Sequence, residues 1–204
     1  METNSMKRIA NAQRKSLETE VSVTVDLDGN DKIEIKSGIG FFDHMLNLFA
    51  AHGRFSLEIN CIGDLDVDGH HSVEDIGIVL GRAMKEALGQ RKGINRYGST
   101  ILPMDESLIM VSLDISGRPY LVLETPSLSQ WVGDFDTQLL EEFLRSFSTH
   151  LGLTLHIKVL YGRNTHHMIE GIFKALGRAM RQAVALDASV ANSNLVPSTK
   201  GILD

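Results

Sequence analysis

The chain has 204 residues, 43% of them hydrophobic and 23% charged, a size that suits one domain or two small halves fused around a shared core. Its net charge of −6, with no Lys/Arg cluster or basic helix, argues against nucleic acid as the partner. The one cysteine, Cys61, cannot staple a fold and reads as a buried thiol, no apolar run approaches membrane-spanning length, and the N-terminus is too polar for a signal peptide, so a soluble cytoplasmic protein is expected.

Residues 8–15 and 19–27 alternate apolar and polar, and Asp28-Gly29-Asn30 punctuates them before 32–36, which reads as an antiparallel hairpin or meander. Phe42, Met45, Leu46 and Phe49 recur at helical spacing and predict a helix over 41–51. Residues 54–62 alternate as a strand. A Gly/Asp-rich loop then delivers the chain to His70, where a long helix begins that Gly89 and Gly93 stop. The second half replays this order, with strands near 96–102, 107–115 and 119–125, a helix over 136–150, a strand over 153–160 and a long helix from His166. An α+β fold follows: two similar tandem halves, 1–93 and 94–190, each a mostly antiparallel sheet with two helices on one face. The tail, 191–204, has no periodicity.

The two long helices open on one repeated phrase. His70-His71-Ser72-Val73-Glu74 matches His166-His167-Met168-Ile169-Glu170, and 70–88 laid over 166–184 gives identity at ten of nineteen positions, including a Leu-Gly-Arg-Ala-Met block. On a helix, His at i and Glu at i+4 share a face, about 6 Å apart at Cβ, while the adjacent His points roughly 100° away. A single such phrase would serve equally as a polar helix start. Packing gives no reason for histidines and a glutamate to persist in both copies, so the pair reads as a two-metal centre.

Imidazole and carboxylate without thiolate suit a divalent ion such as Mn, Fe, Co or Zn. By repeat symmetry each ion takes the His/Glu pair of one phrase and the second His of the other, and a fourth ligand can come from the preceding helix, where His44 is the obvious donor. Open coordination positions remain, as in a catalytic site. Laying the shorter helices over one another pairs His44 with Glu142 and His52 with His150. Arg96, Arg118, Lys174 and Ser198-Thr199-Lys200 flank these elements and suit a phosphate group. His156, on a strand, reads as a satisfied core histidine.

At these residues the chain resembles the imidazoleglycerol-phosphate dehydratase family, in its monofunctional form. The resemblance rests on Glu18-Thr19, Phe42-Asp43-His44-Met45-Leu46, His52-Gly53, Asp68 through Asp75, Arg96-Tyr97-Gly98, Gly117-Arg118-Pro119, Gly162 through His167 with Glu170, Phe173-Lys174-Ala175, and Pro197 through Gly201. It implies a ribosomal protein S5 domain 2-like fold, a 24-subunit shell built from trimers with active sites at subunit interfaces, two Mn ions per site, and dehydration of imidazoleglycerol phosphate to imidazole acetol phosphate in histidine biosynthesis. One metal would take His44, His71, His166 and Glu170; the other would take His70, Glu74, His167 and Glu142, where many members carry His. Phosphate contacts would fall to Arg96, Arg118, Ser198, Thr199 and Lys200, with Lys174 nearby and His52 lining the substrate site. His71 and Glu170 would serve catalysis, and Glu18 matches the family's acid/base. Two rival readings use the same residues: a two-metal phosphate-ester hydrolase, and a structural metal that joins subunits.

Overall fold

A computed structural model describes residues 7–29, 31–187 and 196–198. In the first half, β1 (Ile9–Lys15), β2 (Thr19–Asp26) and β3 (Ile33–Lys36) precede α1 (Gly40–Gly53), β4 (Ser56–Gly63) and α2 (His70–Leu88). The second half repeats the order as β5 (Tyr97–Met104), β6 (Ser107–Asp114), β7 (Tyr120–Glu124), α3 (Leu139–Leu151), β10 (Thr154–Tyr161) and α4 (Thr165–Val184). It adds one small hairpin, β8 (Trp131–Val132) with β9 (Phe135–Asp136), which the sequence pattern did not disclose. Each half forms a four-stranded sheet of equivalent order, β1-β2-β4-β3 and β5-β6-β10-β7.

One expectation changes. The 32–36 strand does not continue a meander from β2: β3 lies at the far edge and pairs parallel with β4, Ile33 opposite Leu57. Helix α1 is the crossover that parallel pairing requires. The other pairings in the sheet, β1 with β2 and β2 with β4, are antiparallel.

Alternation puts Val21, Val23 and Val25 of β2 and Ile109, Val111 and Leu113 of β6 inside, beneath helices whose buried faces carry Ile76, Val79, Leu80, Ile172, Leu176 and Met180. The helices pair across the halves, α1 with α4 and α2 with α3. Phe42, from α1, meets Phe143 of α3 and Phe173 of α4 edge-on at ring-centroid distances of 5.2 and 6.3 Å, those two rings stack at 5.5 Å, and the three join the halves in one core. Burial of each such ring contributes about 1.5–3 kcal/mol.

The repeated Leu-Gly-Arg-Ala-Met block has a packing reason. A Cβ on Gly81 would stand 2.8 Å from the Phe147 carbonyl oxygen, and one on Gly177 would stand 2.4 Å from that of Phe49. Glycine lets the paired helices approach backbone to backbone. Along each pair the contacts advance together, Gly77 to Gly81 on α2 against Phe143 to Leu151 on α3, so the partners run in the same direction. Helix α1 has no side-chain cap of its own; Asp134, in the β8–β9 turn, accepts from the Gly40 and Phe41 amides at 2.7 and 3.1 Å.

Candidate metal centre

Parallel pairing brings the first turns of α1 and α4 together, and with them three donors. His44, His166 and Glu170 place one ligand atom each within 4.8 Å of one another, the only such His/Cys/Asp/Glu group among the described residues. Glu170 Oε2 lies 3.0 Å from His166 Nε2 and 3.6 Å from His44 Nε2. Its other oxygen accepts from Lys174 Nζ at 2.6 Å, which orients the carboxylate. Burial raises the Glu170 pKa, but hydrogen bonds from Lys174 and His166 outweigh it and hold the carboxyl below its ordinary range. Two imidazoles and a carboxylate oriented by a second hydrogen bond fit a divalent ion.

His71 and His167 point elsewhere, as a 100° turn per residue requires. His71 Nδ1 donates to Asp64, 3.0 and 3.2 Å from its two oxygens, leaving Nε2 at 3.8 Å from Glu18 Oε1. His167 Nδ1 donates to Glu106 Oε2 at 2.7 Å, with Nε2 at 3.6 Å from Asp105. These carboxylates raise both imidazoles above the ordinary range. The His167 bond, with the Asn164 and Arg163 amides, holds Glu106 far below the usual carboxylate range. A carboxylate on one ring nitrogen is the usual partner of a histidine that binds metal through the other. Asp64 and Glu106, the partners of these two candidate ligands, were missed by the sequence reading.

The repeat-related set is not gathered in the same way. His70 and Glu74 stand one turn apart on α2, both half-buried, and Glu142 lies in the first turn of the partner helix α3. Among the described residues their ligand atoms do not reach the 4.8 Å grouping. Two carboxylates replace one here, and like charges repel at short range. His52 sits half-buried at the far end of α1, where burial first and then Lys174 and Arg178 hold its imidazole below the ordinary range. His156 is exposed, stacked on Tyr120 at 6.4 Å, and is therefore not a core histidine. An open cleft of about 670 Å³ adjoins the second phrase, lined by Glu106, Ser129, Trp131, Arg163, His166 and His167.

Of the cations expected to hold phosphate, Lys174 stands beside Glu170, while Arg96 and Arg118 lie toward the other end of the helices. The Arg96 amide bonds the Ala183 carbonyl in the last turn of α4, 17 residues beyond His166, which is about 25 Å along a helix rising 1.5 Å per residue. Arg96 is buried and αL, its guanidinium paired bidentately with Asp114 at 2.6 and 2.9 Å. It also donates to the Pro197 carbonyl at 2.9 Å, which brings Ser198 alongside. Arg118 is exposed in the β6–β7 connection, beside the C-terminal end of α3. Thr199 and Lys200 lie outside the described residues.

A family model described as imidazoleglycerol-phosphate dehydratase matches residues 37–180. The chain belongs to the imidazoleglycerol-phosphate dehydratase family. It is 54% identical over 198 residues to the imidazoleglycerol-phosphate dehydratase of Desulforamulus reducens, covering 97% of this chain and 100% of that one. Against the Clostridium novyi protein of the same name it is 56% identical over 196 residues, 96% and 98% of the two chains. The crystal structure of the Staphylococcus aureus imidazoleglycerol-phosphate dehydratase superposes with a TM-score of 0.80 at 42% identity, covering 88% of this chain and 99% of that one. Membership makes this family chain an enzyme of the hydro-lyase class. No helix among the described residues is long and apolar enough to cross a membrane.

Proposed function

We propose that the chain catalyses the reaction for which its family is named, converting imidazoleglycerol phosphate to imidazole acetol phosphate and water on the route to histidine, with two Mn ions per site. The observation that carries this reading is the gathering of His44, His166 and Glu170. These three, with His71, would hold one ion; His70, Glu74, His167 and Glu142 would hold the other. When bound, the ions supply Lewis acidity toward the imidazole ring of the substrate.

The chain's own groups supply the rest. Glu18 is exposed beside His71, free of the hydrogen bonds that immobilise Glu106, and suits a carboxylate that moves a proton between carbons. Arg118, Arg96, Ser198, Thr199 and Lys200 would hold the phosphate. In one chain the Arg96 backbone stands about 25 Å along α4 from its first turn, farther than a small phosphate ester spans. That separation supports a site assembled at subunit interfaces, in the trimer-based 24-subunit shell that the family resemblance implies.

The test is turnover of imidazoleglycerol phosphate by metal-stripped protein with and without added Mn, following both ketone and free phosphate. Mn-dependent ketone without phosphate release is expected. Phosphate release would replace the dehydratase reading with a hydrolase, and metal binding with neither product would make the metal structural.

A further inference from the structure

Laying β2 (Thr19–Asp26) over β6 (Ser107–Asp114) aligns two eight-residue strands of equivalent place and the same alternating burial. The residue before each is a glutamate, Glu18 in one hairpin turn and Glu106 in the other. Both lie beside the second histidine of a repeated phrase, yet they stand differently. Glu106 spends both oxygens: Oε2 accepts from His167, and Oε1 accepts from the Asn164 amide at 2.8 Å, the Arg163 amide at 3.1 Å and Ser107 Oγ at 3.1 Å. The Glu18 side chain is 56% exposed and approaches His71 only to 3.8 Å, on the Nε2 side.

A second difference explains the first. The residue following β4 is Asp64, and it holds His71 Nδ1. In the second half β10 carries one bulged residue between Val159 and Tyr161, so Gly162, against Ser107 and Met168, corresponds to Gly63, against Thr19 and Ser72, and the counterpart of Asp64 is Arg163. A guanidinium has no acceptor for an imidazole N–H, so in this half the hairpin glutamate holds the histidine.

We propose that Asp64 and Glu106 are the positioning residues of His71 and His167, fixing Nε2 of each ring as its metal-donor atom, and that Asp64 thereby releases Glu18, the repeat counterpart of Glu106, for proton transfer. This rests on the two-metal reading above. The two halves meet one requirement from different positions, so inheritance of a single duplicated residue does not account for it. Each carboxylate acts through its histidine and is not itself a catalytic residue.

Glu106→Gln separates positioning from loop anchoring. The amide oxygen can keep the Arg163 and Asn164 bonds, while the amide nitrogen donates to His167 Nδ1 and forces the ring proton onto Nε2, the wrong tautomer for a ligand. The experiment titrates metal-stripped protein with Mn(II), reading free Mn(II) by its six-line EPR signal, alongside the thermal midpoint of the metal-free protein. Wild type is expected to bind two ions per chain. Glu106→Gln should weaken one of them on the order of 10–100-fold, with the midpoint unchanged. Asp64→Asn, in an open loop, should weaken binding through His71 by a similar factor and guards against misfolding of the first variant. Two ions bound as tightly by both variants as by wild type would overturn the positioning roles and leave the metal centre standing. Failure of wild type itself to bind Mn would overturn the metal centre and the positioning roles together.

Discussion

Glu18 and Glu106 carry the same side chain in equivalent turns, and only their hydrogen-bond partners separate a mobile carboxylate from a fixed one. Glu18→Gln should therefore lower turnover by about 10²–10⁴-fold while Mn and substrate affinities stay near wild type, as read by steady-state kinetics and by titration of the inactive protein. Metal loss on that substitution would end the acid/base role. The candidate ligands of the two phrases were legible in the sequence because the repeat marks them: two histidines and a glutamate persist in both phrases where packing has no use for them. Asp64 and Glu106 were not legible, because a carboxylate reaches an imidazole nitrogen through the path of a turn, and turns carry no periodicity. His156 was misread for a simpler reason. It alternates with Leu155 and Ile157, both buried, so strand geometry alone turns it outward.

At the scale of elements, the four helices and the order of the long strands follow from periodicity and, for α2, the Gly89 stop in the sequence. The placement of β3 does not, because the Asp28–Asn30 turn signal resembles a hairpin and nothing local states that the next strand pairs across a helix. The β8–β9 hairpin has two residues per strand, too few for alternation to show. Its role appears only in three dimensions, where Asp134 caps α1 from a distance in sequence. The glycine of the Leu-Gly-Arg-Ala-Met block in each long helix behaves differently again. Alanine is the better helix former by about 1 kcal/mol, yet Gly177→Ala would set a methyl 2.4 Å from the Phe49 carbonyl oxygen, a backbone atom that cannot swing aside. Overpacking of that kind costs about 1–3 kcal/mol, so against the helix-propensity gain the expected net effect is destabilisation of up to about 2 kcal/mol. Urea denaturation of the variant beside wild type checks the sign; a gain in stability would show that α1 and α4 can move apart.

For the whole molecule, the first turns of α1 and α4 hold one set of donors while Arg96 and Arg118 stand at the opposite ends of the helices. If the active site is completed between subunits, two inactive chains damaged at opposite ends should rescue one another. Co-expressed Glu18→Gln and Arg118→Ala chains are expected to show turnover well above either variant alone, because some mixed interfaces receive both intact residues. Absence of rescue, in shells shown by mass spectrometry to contain both chains, would place the whole site within one chain.

The helix pairing has one more consequence. Helix α1 packs on α4 and α3 packs on α2, and under the repeat α1 corresponds to α3 and α2 to α4. Each contact is therefore the image of the other, the reciprocal pattern that defines an isologous two-fold interface between identical subunits. The two halves relate to one another as protomers of a dimer tied by a covalent linker. A gene for one half alone would encode a chain with both helices bare on one side, whose natural partner is a second copy of itself.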